Sequence, residues 1–203
     1  MTVTVDDIRL LTGLSTDEIS DSDLSGIIDK AWLRMMPDVT ALVDRKLAKL
    51  TSTNYIIEDA RGYIFDVNND GSIDYSDVTI YYFDSDGVEH QIDTAFTYYP
   101  LQNRLEFSSA LDTSHQYYIR YREIWVRDSD IIEEAHLWLS AYLAAVRIWG
   151  MTPEMVRLGR SGWTSRQPGQ LYLDNYRRIV ASLKRLGEAI EYGSHISILS
   201  DTI

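Results

Sequence analysis

Residues 66–77 read DVNNDGSIDYSD and place oxygen-bearing side chains at the spacing of a twelve-residue calcium loop. Calcium prefers carboxylate and carbonyl oxygens that wrap around it along a turning backbone, and Gly71 falls at the sharp turn of such a loop. The pattern therefore predicts a structural Ca²⁺ site. Its predicted metal-binding residues are Asp66, Asn68, Asp70, Ser72, Asp74 and Asp77.

The twelfth position of this loop is Asp77, where a longer glutamate is more usual. An aspartate there still allows ligation in dockerin-like loops, which the segment resembles. Asn69, Asp70 and Gly71 are also a strong turn signal, so a hairpin turn with solvated carboxylates remains the alternative. Calcium titration distinguishes the two interpretations.

Two further patterns were weighed for catalysis. Glu133 and His136 form an E-x-x-H pair, but di-iron chemistry needs a second such pair, and the sequence has none. A partly buried, hydrogen-bonded histidine is the favoured interpretation. Ser161 lies in G-R-S-G, which lacks the full nucleophile-elbow pattern. We therefore predict no catalytic residue and no enzymatic activity.

The apolar periodicity that must position these residues changes twice along the chain. Helical spacing predicts helices over 5–11, 20–50, 128–149 and 170–192, with Thr4 as the first N-cap, Gly13 as a stop and a kink at Pro37. Between them, a period of two predicts antiparallel strands. These strands are expected at 54–57, 62–65, 78–83, 88–92, 96–99, 104–107 and 116–125.

The predicted fold class is α+β: a bundle of about four helices interrupted by an inserted antiparallel β domain. Residues 1–52 supply the N-terminal helices, and 53–127 form the β-rich insertion with the calcium loop. Residues 128–192 complete the bundle, and 193–203 form a C-terminal docking tail.

Composition limits the function classes. The 203 residues contain no cysteine, which excludes disulfides and cysteine-ligated metal sites. The net charge of −12 is segregated: residues 1–130 carry 24 acidic and 11 basic side chains, whereas residues 131–203 carry 7 and 8. We found no signal-peptide pattern and no membrane-spanning run, and therefore expect a soluble intracellular product without membrane contact.

The basic C-terminal third supplies the candidate contact residues. Arg157, Arg160 and Arg166 lie in a punctuated segment over 150–170 and are candidates for contact with DNA or an acidic partner, although no named nucleic-acid motif is present. A solvated helix face and a disordered terminus are the alternatives for the rest of this region. The predicted partner-binding residues are Arg177, Arg178, Arg185, His195, Ile196, Ile198, Leu199 and Ile203.

The order of these elements resembles a known family. A short helix in TVDDIRLLTGLS, an acidic turn STDEISDSD, a long helix LSGIIDKAWLRMMPDVTALV and two later helices together resemble the head-tail connector, or adaptor, proteins of tailed viruses. The resemblance is architectural and covers roughly residues 1–50 and 128–203. It carries over no functional residue one by one.

This resemblance implies a structural virion protein at the head-tail junction, made in the host cytoplasm. It implies a homo-oligomeric ring, expected to be a dodecamer, that binds the portal protein and a downstream tail or stopper protein. Genomic DNA would pass through the channel without sequence-specific binding. The C-terminal segment of the family commonly engages the portal, which would assign that function to the tail.

A second function class fits part of the sequence. A calcium-stabilised recognition module would bind a carbohydrate or a protein through the tyrosine-rich face of the β segment. The single calcium loop and the large helical content of the chain count against this alternative.

Overall fold

The computed structural model describes the backbone of residues 3–126, 129–149 and 168–200, and the side chains of residues 3–126, 130–148 and 169–186. The chain divides into two compact units. A helical unit comprises Met1–Val39 and Asp128–Leu186, and a β unit comprises Thr40–Arg127 with Gly187–Ile203. Four helices and an antiparallel sheet confirm the predicted α+β class.

The first helix, α1, spans Val5–Thr12 and has the ends that its sequence predicts. The Thr4 backbone N–H donates to Asp7 Oδ2 at 2.8 Å, and the Asp7 N–H donates to Thr4 Oγ1 at 3.3 Å, which forms a capping box. Gly13 adopts a left-handed φ of 72° and donates its N–H to Arg9 O at 2.8 Å. Both ends of α1 are therefore fixed by local chemistry.

The second helix, α2, spans Asp21–Val39 and ends two residues after Pro37. The predicted helix over 20–50 is wrong beyond this point, because residues 41–49 form strand β1, Ala41–Lys49. Six residue pairs join β1 to a strand some 80 positions later in the chain, from Ala41↔Glu123 to Lys46↔Tyr118. This long-range pairing outweighs the helical spacing of Leu42, Val43 and Leu47.

The β unit forms one eight-stranded antiparallel sheet. Its strand order is β5-β4-β8-β1-β2-β7-β6, and β3 pairs with β8. Four of the seven predicted strands have the predicted bounds, and the other three each begin one residue later and end one residue earlier than predicted. After β1, the strands are β2 Asn54–Ile57, β3 Tyr63–Ile64, β4 Val78–Phe83, β5 Glu89–Gln91, β6 Phe96–Tyr99, β7 Arg104–Phe107 and β8 Tyr117–Ile124.

Alternation along β8 determines which side chains enter the core of the β unit. Tyr117, Ile119, Tyr121 and Glu123 are buried, whereas the residues between them are partly exposed. Two hairpins connect neighbouring strands of the sheet. One turns at Gly87 (φ 78°) between β4 and β5, and the other turns at Asn103 (φ 46°) between β6 and β7.

The last two helices return the chain to the helical unit. Helix α3 spans Ser129–Trp149 and α4 spans Pro168–Ser200. Gly193 does not end α4, so the predicted stop near 192 is wrong: a glycine costs a helix only about 1 kcal/mol. In the part of the chain that the structure describes, no helix is long and apolar enough to cross a membrane.

The core of the helical unit is built from α1, α2, α3 and the first half of α4. Ile8, Leu24 and Ala144 are fully buried in one cluster, and Ala141 and Tyr172 are buried in a second. The apolar face predicted for α4 is buried at Tyr172, Tyr176, Ile179, Val180 and Leu183, whereas Leu186 is exposed.

Candidate functional site

The predicted calcium loop connects β3 to β4 and brings all six predicted ligands into one short segment. Asn69 and Gly71 take left-handed φ values of 59° and 86°, which turn the backbone sharply. Asp66 accepts hydrogen bonds from the backbone of the turn, at 2.7 Å from Gly71 N to Oδ2 and 3.3 Å from Asp70 N to Oδ1. The loop is therefore ordered by its own first residue.

The middle of the loop forms a continuous hydrogen-bond network. Asn68 Nδ2 donates to Asp70 Oδ2 at 2.9 Å and to Ser76 Oγ at 2.8 Å. Ser72 donates its N–H and its hydroxyl to Asp70 Oδ1, at 2.9 Å and 2.7 Å. Ser76 binds Asp74 Oδ1 in the same way, with both distances 2.7 Å. Several of the oxygens predicted to bind calcium thus accept internal donors.

Asp77 joins the two ends of the loop. Its carboxylate is buried and accepts two backbone hydrogen bonds. Val67 N lies 2.6 Å from Oδ1, and Asp74 N lies 3.0 Å from Oδ2. Burial raises the pKa of Asp77, the two backbone N–H groups oppose that rise, and the nearby Asp66 and Asp74 charges add to it. A cation in the loop would offset both the burial and the repulsion.

Within the described residues, no three carboxylate or imidazole side chains converge in a geometry that would hold a metal ion. The loop brings its predicted ligands close together along the chain, with their oxygens turned towards N–H and O–H donors. Calcium binding therefore stays a prediction, and it requires several of these side chains to exchange internal donors for the cation.

The structure contains a second carboxylate site that sequence reasoning missed. Glu123 is 2% exposed; its Oε2 lies 3.0 Å from Arg45 Nη2, and its Oε1 accepts from Arg61 N at 2.8 Å and Gly62 N at 3.1 Å. The Tyr121 hydroxyl donates to the same Oε1 at 3.1 Å. Burial and the Glu123 charge raise the pKa of Tyr121. This site joins β8, β1 and the turn before β3.

The sequence predicts a strand at Glu123 and a helix at Arg45. The pair is visible only once β1 lies next to β8. Gly62 fits the same site because a Cβ there would clash with the Ile124 carbonyl. We interpret Glu123 as a structural anchor, since its oxygens are all directed at protein donors.

The tyrosine-rich face that carries the alternative function lies on β4 and β8. Tyr81 stacks on Tyr118 with ring centroids 5.6 Å apart, and Arg120 lies over Tyr81 at 4.9 Å. The Tyr81 hydroxyl donates to Asp44 at 2.7 Å, and burial raises its pKa to about 12. Phe83 at the edge of this cluster is 45% exposed. Most of the aromatic surface is therefore used within the sheet.

His136 is buried in the helical unit, as expected for a core histidine. Its Nε2 lies 2.8 Å from Ile28 O, and its ring meets Trp32 edge-on at 5.1 Å. Burial lowers the pKa of His136, which favours the neutral ring. The structural interpretation of the E-x-x-H pair is confirmed for its histidine.

The predicted contact residues fall into three groups. Arg177, Arg178 and Arg185 are exposed on α4, together with Lys184. Arg157, Arg160, Arg166 and Ile203 lie outside the described residues. The tail residues at positions 195, 196, 198 and 199 have a helical backbone within α4, and their side chains are outside the described set.

An acidic depression lies at the start of α2, where the turn after α1 meets the end of α3. Its volume is about 480 Å³, and its charged lining residues are Asp17, Glu18, Asp23 and Arg147. Arg147 Nη2 donates to Asp23 Oδ1 at 2.7 Å. Glu18 accepts from Ser15 N at 2.8 Å, and this bond and the Ser15 hydroxyl lower its pKa. Asp17 is exposed.

Comparison with known proteins gives little further information. No protein-family description matches the chain, and no curated protein is significantly similar to it. One similar solved structure is described as the neck of an empty GTA particle computed with C6 symmetry. It shares 14% sequence identity and a TM-score of 0.31 over 88% of each chain. That TM-score is too low to establish a shared fold or a shared function.

Proposed function

We propose that this chain is a structural virion protein, a head-tail adaptor whose copies form a ring below the portal and extend the DNA channel towards the tail. The observation that carries the proposal is the chain order of the helical unit. Two N-terminal and two C-terminal helices pack into one unit, with the sheet inserted between them. This is the arrangement that the sequence resemblance to adaptor proteins implies.

The charge distribution supports a conduit function. DNA binding is strengthened when fixed positive charges replace the counterions around phosphates. A chain with a net charge of −12 repels DNA overall. A channel built from such subunits would let the genome pass without holding it, and sequence-specific binding is not expected.

The proposed partners are further copies of this chain, expected to number twelve, the portal protein above them and a tail or stopper protein below. The proposed portal contact is the last part of α4 and the residues after it. In this proposal, the segment 193–203 docks on the portal with residues 193–200 as part of α4, in place of the separate tail that the sequence predicted.

A binding experiment with the portal protein of the same virus tests this proposal. The full chain should bind immobilised portal, whereas a chain that lacks residues 193–203 should keep its unfolding temperature, lose only the helical signal of the deleted residues, and lose binding. Equal portal binding by both chains contradicts the proposed docking segment. Failure of the full chain to bind portal contradicts the adaptor function itself.

The exposed Phe83 ring favours a second candidate, a calcium-stabilised module that recognises a carbohydrate or a protein through the β4–β8 face. Its calcium would occupy the 66–77 loop. This function requires Phe83→Ala to abolish binding to a ligand that the β unit selects from a glycan array. Absence of any glycan signal, together with portal binding, supports the adaptor.

A further inference from the structure

Helix α4 carries a line of cations opposite its buried face. Arg177, Arg178, Lys184 and Arg185, which we call the basic stripe, are all exposed. At about 100° per residue these four lie within an arc of roughly 120°. Asp174 lies in the same arc and interacts with Gln170 Nε2 at 2.8 Å. Over residues 169–186, whose side chains the structure describes, the arc therefore has an excess of three positive charges.

The basic stripe is not neutralised within the part of the chain that the structure describes. None of its four side chains has a salt-bridge partner among the described residues. The opposite side of the helix is fixed by buried Tyr176 and Leu183. The packing of this face holds the cations pointing outward, where they can attract an acidic partner.

The acidic depression described above, on another copy of the chain, is a suitable counterpart for the basic stripe. Its three carboxylates exceed its single cation, Arg147, which already pairs with Asp23. Asp17 and Glu18 face solvent at its rim. A concave surface with excess negative charge thus matches the convex, positively charged face of a helix.

The two surfaces lie at opposite ends of α2. Asp23 lines the depression near the start of α2. Asp38, near the end of α2, accepts a hydrogen bond of 2.6 Å from the hydroxyl of Tyr176, the residue directly before the stripe. Asp23 and Asp38 are 15 residues apart on one helix, which corresponds to about 22 Å. Because charges are screened beyond about 8 Å at physiological salt, the two surfaces cannot neutralise each other within one chain.

We propose that copies of this chain associate head to tail, with the basic stripe of one copy seated in the acidic depression of the next. Such a contact joins two different surfaces and so generates a ring when the rotation closes. The inference rests on the proposed ring function and names the subunit surfaces that would build it. DNA fits the stripe less well, because the net charge of −12 on the whole chain opposes the approach of a polyphosphate.

Complementary charge variants test this contact in the full chain. In the first variant, Arg177→Glu with Arg178→Glu makes the stripe acidic. In the second, Thr16→Lys with Asp17→Lys makes the depression basic at two exposed positions. Each variant alone should associate at least tenfold more weakly than the original chain in sedimentation velocity, because like charges then face each other. An equimolar mixture should recover association, since each copy then meets an opposite charge on both sides.

Lys30→Glu with Arg34→Glu is the matched control, because it makes the same charge change at two exposed positions of α2. This control should associate like the original chain. Unchanged association of the stripe variant, or no recovery in the mixture, overturns the inference. If the original chain fails to assemble even with its portal protein, the proposed function fails as well, so the two failures are distinguishable.

The absence of cysteine allows a direct trap. A chain carrying both Ala181→Cys, in the middle of the stripe, and Thr16→Cys, in the depression, should form a ladder of disulfide-linked oligomers on mild oxidation. The two positions are too far apart to be bridged within one chain. Each single variant should give at most dimers. A double variant that yields no ladder contradicts the contact. If the Arg177→Glu/Arg178→Glu variant forms the same oligomers as the original chain but no longer retains duplex DNA, the stripe binds DNA instead.

Discussion

The Tyr176 hydroxyl donates a hydrogen bond of 2.6 Å to Asp38 Oδ2 and thereby fixes α4 against the end of α2. Burial is the main reason that the pKa of Tyr176 is raised, and the bond to the Asp38 carboxylate adds to it. Tyr176 is the residue directly before the basic stripe. The position of the proposed subunit contact therefore depends on this one bond and on the apolar packing around it.

Replacing Tyr176 by phenylalanine should destabilise the helical unit by about 2 kcal/mol, because the bond joins a buried hydroxyl to a charged group. Urea unfolding followed by circular dichroism measures the change. Tyr142→Phe is the control, since the Tyr142 hydroxyl has no hydrogen-bond partner among the described side chains. Equal stability of both variants would show that the Tyr176 bond contributes nothing.

Glu123→Gln should destabilise the β unit by about 3 kcal/mol, because it leaves Arg45 without its buried counter-charge. Glu58→Gln is the control: the Glu58 side chain is 41% exposed, its contact with Lys46 measures 3.9 Å, and its loss should cost less than about 1 kcal/mol. Chemical denaturation measures both changes. A Glu123 variant no less stable than the Glu58 variant would contradict an anchoring function.

Asp77 should make loop stability depend on pH and on calcium. Its native pKa is raised above the unfolded value of about 3.9, so its stabilising contribution is present below that value and is lost as pH rises through the native pKa. The stability of the original chain minus that of Asp77→Asn should therefore decrease over this window. If calcium binds, millimolar Ca²⁺ should reverse the decrease near neutral pH in the original chain only. No heat in calorimetric titration and no thermal shift with calcium would reject the site.

His136 should give the opposite dependence. Burial lowers its native pKa, so its contribution is present above the unfolded value of about 6.5 and is lost as pH falls towards the native pKa. His136→Gln keeps a side-chain N–H for Ile28 O and removes the titration. Unfolding measured above and below pH 6.5 should show a steeper acid loss for the original chain. Parallel slopes would mean that His136 titrates normally.

Local signals in the sequence predicted most of the fold. Thr4 and Gly13 bound α1 through side-chain and backbone chemistry within a few residues, and the turns at Gly87 and Asn103 set the register of two hairpins. Strand β1 was missed because its apolar spacing also fits a helix and its pairing partner is β8, some 80 residues away.

The sites follow the same division. The ligands predicted for the 66–77 loop are neighbours in sequence, so their proximity was predictable, whereas the donors that occupy their oxygens were not. The Glu123–Arg45 pair and the separation of the stripe from the depression depend on tertiary packing. No sequence period encodes either relationship.

Negative-stain imaging of the full chain, alone and mixed with the portal protein of its virus, tests the central claim most directly. The adaptor function predicts closed rings with a central channel, attached to one face of the portal. Particles of single-chain size under both conditions would contradict it.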